Sequence, residues 1–536
     1  MTRPVVVVGA GPVGASAAIL LGQRGVPVVV LDRWSEVYPQ PRAVHLDDEV
    51  HRLLAHLGVA EEFARISRPA AGLRLVDRDL RVLGEFSREG VSDTNGYHRA
   101  NMYDQPELEA LLRARIGTLD AVTFRGGLEV TDVETAPHGT ARVHVRRLDS
   151  GAEEVVEASY VLGCDGANSV VRGAVGATLE DLDFEQRWLV IDVETSVDLG
   201  QWEGVQQVCD SQRAATYMRI GPTRYRWELQ RLDGETHEQY ATIEALGPLL
   251  RPWTAGVDPA DLRVLRVASY TFRAALADRW RRGPVFLLGD AAHLTPPFIG
   301  QGLGAGVRDA ANLTWKLAGV LSGELDTSAL DTYEVERRAH ARELVLLARR
   351  VGVAMTSGGR LGDTVRRVAV PAVNLVPEIR RQVSDSSTPP LVASDLVAPA
   401  GRLRRRDPLA GTLVPNVVSS SGRGLARLDD LLGGRWALVT SHPVAPSDRS
   451  RLDGLGVVVV DAAGGPLRAW LEGGRAVAAA VRPDGAVMTS AASVPVAVAA
   501  LLGTLRPTRD DTSTAPGAGP TTARSDAVPP SAPVLA

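Results

Sequence analysis

The first apolar run, Val5-Val6-Val7-Val8, leads straight into Gly9-Ala10-Gly11-Pro12-Val13-Gly14. Residues 15–24 then have helical character, Gly25 closes them, and a second apolar run over 28–31 ends at Asp32. Strand, glycine turn, helix, strand, acid is the order that most restricts what this chain can fold into. Gly9 permits the tight turn, Gly11 lets backbone approach a pyrophosphate, and Gly14 lets the helix pack on the strand. Asp32 stands roughly 20 residues further on, where a ribose-binding acid belongs. The pattern points to an adenine dinucleotide without separating FAD from NAD. A glycine-rich turn with no ligand is the plainer alternative.

A second stretch answers the first. The apolar run 285–288 suits a buried strand, and Gly289-Asp290-Ala291-Ala292-His293 follows it. A Pro296-Pro297 turn and the glycines Gly300, Gly302, Gly304 and Gly306 come next. Leu303, Val307, Ala310, Ala311, Thr314, Leu317 and Leu321 then recur at helical spacing. An acid at a strand end suits a sugar hydroxyl, and a glycine-rich helix start offers free N–H groups and a positive dipole end. With only one GxGxxG fingerprint in the chain, the two stretches predict one cofactor clamped at both ends.

Composition removes other classes. The 536 residues allow two or three domains, and a net charge of −5 gives no reason to expect nucleic acid or an acidic membrane as a partner. The two cysteines, Cys164 and Cys209, form neither a CxxC pair nor a zinc cluster, so no metal is expected and the compartment reads as reducing. No apolar run reaches the roughly 18 residues of a membrane span, and no signal peptide is visible. The expected location is the cytoplasm.

Between the two stretches, a polar, proline-rich loop over 34–41 precedes Arg42, and Leu46, Val50, Leu53, Leu54 and Leu57 then keep helical spacing up to a Gly58 cap. Gln105-Pro106 opens another helix, with proline tolerated in its first turn. Short alternating strands fill 122–161, as in Ala141-Arg142-Val143-His144-Val145, and residues 160–163 re-enter the buried sheet before Cys164-Asp165-Gly166. Residues 187–269 read as mostly β, with Cys209, Asp210, Arg213, Tyr217, Trp227 and Glu228 standing out. A second long helix is expected over 330–350 and a small α/β domain over 405–504. The stretch 504–536 has hardly any large apolar residue and is expected to be disordered.

Five motifs together carry a family resemblance: Gly9 to Gly14, Pro41-Arg42-Ala43-Val44 with Asp47-Asp48-Glu49, Gln105-Pro106-Glu107-Leu108-Glu109, Cys164-Asp165-Gly166-Ala167, and Gly289-Asp290-Ala291-Ala292-His293. The chain resembles the class A flavoprotein aromatic hydroxylases over residues 5 to 491, and most of all the 3-hydroxyphenylpropionate hydroxylase branch. The resemblance implies an α/β fold: a Rossmann-like FAD-binding domain of the glutathione reductase type, an inserted mixed β-sheet substrate domain, and a thioredoxin-like C-terminal domain. The FAD-binding domain would span 1–183 and 270–383, with substrate-domain strands interleaved near 70–100. The substrate domain would span 184–269, a linker 384–404, and the thioredoxin-like domain 405–503, which has no redox cysteine and is left with scaffolding or oligomer contact.

By the same resemblance, cofactor contacts fall to Gly9, Gly11, Pro12, Gly14, Asp32, Arg33, Arg42, Gln105, Asp165, Asp290, Pro297, Gly300, Gly302, Leu303 and Gly304. Arg42 would reach the pyrophosphate, Asp165 would brace the FAD site and help receive the nicotinamide, and the Pro297 carbonyl would lie by the flavin and the substrate hydroxyl. Arg213, Tyr217 and Trp227 are the substrate candidates on the sheet. His45 replaces the glycine usual in the branch, so either it faces the substrate as a catalytic group or it is a surface histidine kept charged by Asp47 and Asp48. The implied reaction is hydroxylation of a small phenolic substrate with NADH or NADPH and O2, through a flavin C4a-hydroperoxide. Epoxidation, Baeyer–Villiger oxidation or antibiotic modification on the same fold is the alternative, and a non-enzymatic dinucleotide-binding protein the remote one. Catabolic and biosynthetic roles, and monomer and homodimer, stay open.

Overall fold

The computed structural model describes residues 3–136, 139–374, 388–397, 407–421 and 424–507. The tail expected over 504–536 and the linker expected over 384–404 lie largely outside the described residues. The chain forms two compact units: Met1–Ser92 with Tyr97–Ala311 and Arg337–Pro389, and Asp93–Gly96 with Asn312–Glu336 and Pro390–Ala536.

In the first unit, a six-stranded sheet has the order Arg281–Arg282, Val285–Leu287, Tyr160–Gly163, Val5–Val8, Val28–Leu31, Val122–Arg125. All but its first pair are parallel. The uninterrupted apolar runs follow from this, because a parallel sheet is covered on both faces. The ends of three central strands deliver Gly9, Cys164 and, two residues past Leu287, Gly289 to one edge of the sheet. Pro12–Gly22 is the first helix, and Gln105–Ile116 begins where Gln105-Pro106 predicts. The helix expected from Leu46 begins only at Asp48, because His45–Asp47 is a strand and the Asp47 carboxylate accepts the Val50 N–H as an N-cap. Gly58 closes that helix at φ 76°.

An eight-stranded sheet is the second large element, in the order His293–Leu294, Arg263–Ala277, Leu179–Glu194, Arg224–Gln230, Ala215–Arg219, Val205–Val208, Gly72–Val76, Val82–Ser87. The expected β character of 187–269 is therefore interrupted by a helix, Ile243–Thr254. Pro248 and Pro252 lie inside it and hide it from a propensity reading. Its Leu246 and Leu250 pack with Tyr217, Tyr225, Trp227 and Leu229 and close one face of the sheet.

The second unit holds a four-stranded sheet ordered Val458–Asp461, Ala437–Thr440, Ala478–Val481, Val487–Ala491, with one parallel and two antiparallel pairings. All four strands lie within the stretch 405–504 expected to be a small α/β domain. Its buried charges are paired: Lys316 and Arg482 both reach Glu336, at 2.9 Å each. No helix among the described residues is long and apolar enough to cross a membrane.

Candidate active site

At the N-terminal glycine turn, each glycine is required for a different steric reason. Gly9 has φ 96°, and a Cβ there would stand 2.5 Å from the Cys164 carbonyl oxygen. A Cβ on Gly14 would stand 1.9 Å from the Gly9 carbonyl oxygen, so helix and turn touch backbone to backbone. A Cβ on Gly11 would meet no atom within 4 Å: this glycine faces open space at the start of the helix. Pro12 occupies the first helical turn, where its missing N–H costs nothing. Asp32 accepts the Ala10 N–H at 2.5 Å and the Trp34 N–H at 2.7 Å, which ties the end of the second strand to the glycine turn. Arg33 is exposed, its guanidinium 5.7 Å from the Trp34 ring centre.

Gly289 and Gly306 bring the second stretch onto the first. Added Cβ atoms would stand 3.0 Å and 2.5 Å from Val13 Cγ2, so both glycines pack on the residue between Gly11 and Gly14. One buried carboxylate fixes this arrangement. Asp309 accepts the Gly289 N–H at 3.0 Å, pairs with His293 Nε2 at 2.8 Å and with Arg337 at 2.9 Å. Burial alone would raise the Asp309 carboxyl, but Arg337 and His293 outweigh it and hold it below the usual range. Asp290 is different: water reaches its side chain, yet enough protein surrounds it that burial holds its carboxyl high, opposed by His293 and Arg42. A carboxyl both reachable and crowded lines a cleft.

The helix Gly302–Ser322 makes its first internal hydrogen bond from Ala305 to the Gln301 carbonyl, 2.8 Å, so the N–H groups of Gly302, Leu303 and Gly304 lie ahead of the ladder. Gln301 does not cap them. Its amide nitrogen donates to Asp47 at 2.8 Å, and Arg308 donates to its oxygen at 3.0 Å. Arg308 also pairs with Asp47 at 2.7 Å and Glu49 at 2.9 Å, so Asp47 and Glu49 anchor this helix to the start of the helix Asp48–Leu57. Gly304 sits inside that junction, its added Cβ 2.9 Å from Val50. The Pro297 carbonyl accepts the Gly300 N–H at 2.9 Å, one of its two lone pairs.

Other expected site residues also make bonds within the protein. The Asp165 carboxylate caps the helix Val170–Val175, accepting from Ser169 Oγ at 2.6 Å and from the N–H of Val170 and Val171. What meets Gly9 is backbone, the Cys164 carbonyl and Asp165 Cα. Gln105 accepts from the N–H of Arg42 and Ala43 and donates to Glu109 at 2.6 Å, so it pins the Arg42 loop. Arg42 itself is exposed, 5.6 Å from the Tyr38 ring centre. His45 is half-buried against Gly300, whose added Cβ would be 2.7 Å from Nδ1. Burial and then Arg88 lower its pKa to about 4, against Asp47 and the Gly300 backbone, which raise it. The expectation of a charged surface histidine is thus overturned: desolvation outweighs the neighbouring acids, and the ring is neutral at pH 7.

Strand alternation decides the sheet candidates. Tyr217 and Trp227 stand directly opposite one another, 1 % and 0 % exposed, stacked at 4.8 Å on the face closed by Leu246 and Leu250. Arg213 is paired with Glu235. The two aromatics thus build a core on the far face, and the arginine makes an ion pair. The opposite face carries Gln207, Thr216, Met218, Arg226 and Glu228. Gln207 donates to the Phe298 carbonyl at 2.8 Å, and Arg226 donates to the carbonyls of Pro41 and Arg42 at 3.0 and 3.2 Å, so this is the face that meets the loops of the cleft. Phe298 packs on the same face, 5.5 Å from Trp188 and 6.1 Å from Phe272.

A family model described as an FAD binding domain matches residues 2–348. A probable NADH-specific resorcinol 4-hydroxylase of Rhodococcus jostii (strain RHA1) is 33% identical over 504 residues, 90% of this chain and 91% of that one. A 3-(3-hydroxy-phenyl)propionate/3-hydroxycinnamic acid hydroxylase of Burkholderia cenocepacia (strain HI2424) is 33% identical over 442 residues, 81% of this chain and 78% of that one. This chain belongs to the FAD-dependent aromatic hydroxylases. The solved flavin-dependent monooxygenase PieE, in complex with FAD and substrate, shares the fold at a TM-score of 0.78 and 23% identity, covering 94% of this chain and 99% of its own.

FAD fits the hydroxylase's residues on two observations. Gly11 leaves an empty cradle in front of a helix start, as a pyrophosphate requires. The Thr295 hydroxyl, beside Gly302, is buried without a hydrogen-bond partner. Sequence reasoning missed Asp309, Arg337, Arg308 and Arg226. A signal existed only through the partner of the last: Asp192 interrupts the apolar run from Trp188 to Val193, and it pairs with Arg226 at 2.7 Å, the two side chains 3 % and 1 % exposed.

Proposed function

We propose that this enzyme hydroxylates a small phenol with NADH and O2, and that the contact of the two glycine stretches at Val13 supports one cofactor lying across both. The chemistry that FAD supplies when bound is acceptance of reducing equivalents from the nicotinamide and activation of O2 for insertion into the ring. The Gly9 to Gly14 turn and Asp32 hold the ADP end in this reading, with Arg33 and Arg42 alongside. Asp290, exposed within its cleft, accepts from a chain hydroxyl. The free N–H groups of Leu303 and Gly304, at a positive helix end, stabilise negative charge on the ring edge placed there.

The remaining lone pair of the Pro297 carbonyl accepts from the phenol hydroxyl, which raises electron density in the ring as that hydroxyl gives up its proton. In this reading His45, neutral and with an Nδ1 that makes no hydrogen bond, hydrogen-bonds the same hydroxyl or takes its proton. Phe298, caged by Phe184, Trp188 and Phe272, keeps water from the reacting centre. We assign 1–183 and 270–383 to FAD binding, 184–269 to the substrate roof, and 405–503 to a thioredoxin-like scaffold or oligomer contact. A cytoplasmic setting suits the two free cysteines.

The test is NADH oxidation by the purified yellow protein across a panel of phenols, with isotopically labelled O2 and mass analysis of products. Incorporation of one oxygen into a phenol supports the reading. Gly11→Val fills the empty cradle and is expected to purify colourless with an unchanged fold; full FAD occupancy in that variant would refute the placement.

A further inference from the structure

The face of the eight-stranded sheet that meets the cleft loops carries a polar row that the reaction as described does not use. Gln207, Thr216 and Glu228 stand directly opposite one another on three neighbouring strands. Val190 continues the row on the next strand. Neighbouring strands lie about 4.8 Å apart, so the three polar side chains form one continuous patch.

Two members of that patch have an oxygen without a protein donor. Gln207 is 2 % exposed; its amide nitrogen holds the Phe298 carbonyl, but its oxygen has no partner. Glu228 is 9 % exposed, and no described residue hydrogen-bonds its carboxylate. Arg226, two residues away on the same face, does not supply the missing donor. Its N–H groups go to both Asp192 oxygens and to the carbonyls of Pro41 and Arg42. Burial pushes the Glu228 carboxyl up, with Asp192 adding and Arg226 opposing. The Glu228 oxygens keep a path to solvent, so a ligand donor can reach them where no protein donor does.

We propose that Glu228 is a specificity-determining residue that accepts a hydrogen bond from a second hydroxyl on the substrate ring, so that the enzyme takes dihydric phenols and rejects phenols bearing a carboxylate. This rests on the phenol hydroxylase reading. Glu228 and the unpartnered Gln207 oxygen present acceptors only, while Thr216 between them can donate or accept. A substrate hydroxyl satisfies an acceptor. A substrate carboxylate brings like charge to Glu228 and leaves it without a donor. The positive charge nearest His45, Arg88, has Asp47 and Asp48 as its electrostatic neighbours, so it does not offset a carboxylate at the Glu228 row.

The experiment titrates the FAD-loaded enzyme with three ligands and follows the perturbation of flavin absorbance: resorcinol, 3-methylphenol, which keeps the shape but has one hydroxyl, and 3-(3-hydroxyphenyl)propionate. Wild type is expected to bind resorcinol at least roughly tenfold more tightly than 3-methylphenol, the worth of one hydrogen bond to a charged group. It is expected to bind the propionate most weakly. Glu228→Gln should weaken resorcinol by a similar factor, leave 3-methylphenol within about twofold, and improve the propionate. Flavin content and melting temperature, measured alongside, show whether the variant is intact. Equal weakening of resorcinol and 3-methylphenol in an intact variant, or no change in either, overturns the proposal. So does a wild type that binds the propionate as tightly as resorcinol, whatever the variant does. If phenols are hydroxylated but this order of affinity is absent, only the Glu228 role falls. If no phenol is hydroxylated, the parent reading falls and takes this one with it.

Discussion

The two faces of the eight-stranded sheet are built from the same strands and do opposite things. One face is aromatic and closed: Tyr217, Tyr225, Trp227 and Trp253 form a cluster with Leu246 and Leu250 beneath a helix. The other is polar and faces the cleft, with Gln207, Thr216, Arg226 and Glu228 alternating between those aromatics. The aromatic side chains, which draw the eye in the sequence, supply the core. The polar residues between them meet the loops of the cleft. A β strand distributes these roles by parity, so a candidate misplaced by one residue is on the wrong side of the protein.

The sharpest way to break this contrast is Arg226→Ala. It would leave Asp192 buried and uncompensated and free the Pro41 and Arg42 carbonyls. A loss of about 3–5 kcal/mol in denaturant unfolding, with reduced FAD content, is expected. Trp227→Ala on the closed face should cost a comparable or slightly smaller amount, about 3–5 kcal/mol, by opening a cavity. Its surviving folded fraction should keep the wild-type order of preference among phenols, and a changed order would show that the closed face reaches substrate.

His45→Gly tests the border between cleft and loop. A histidine with a folded pKa near 4 takes up its proton more readily unfolded, so it lowers stability as pH falls from about 6.5 to 4 and has no such effect above. The variant should flatten the stability–pH curve in that window only. If the ring also serves the phenol proton, turnover at neutral pH should fall by roughly 10²–10⁴-fold. The smallest effect belongs to Tyr217→Phe. The Tyr217 hydroxyl is buried without a partner, so its removal should leave turnover unchanged and stability equal or slightly higher. A drop in substrate affinity would return Tyr217 to the pocket.

The N-terminal strand, glycine turn and helix were readable because backbone sets them. Gly9, Gly11 and Gly14 act through the side chains they lack, and Asp32 follows at a fixed interval, so spacing alone carries the message. The helix after Gly302 was readable from its apolar period. The roof was not, because parity gives two faces without saying which one is covered, and the covering helix was masked by Pro248 and Pro252. The capping role of Asp165 was hidden for a similar reason: a conspicuous acid beside a glycine gives no sign that Ser169 and two N–H groups downstream will bond to it. The Asp309 hub reaches residues up to 28 positions away in the chain and has no local signature.

The contact between Gly300 and His45 bears on how this pocket can be redesigned. Gly300 has φ 64°, which bars most side chains by strain, and an added Cβ there would stand 2.7 Å from the imidazole in any case. Space beside the ring can therefore be traded in one direction only. Position 45 can be enlarged or emptied, while position 300 cannot compensate for either change. A library aimed at bulkier or smaller phenols should vary residue 45 and leave 300 fixed, and lineages that remodel this corner should show the substitution at 45 alone.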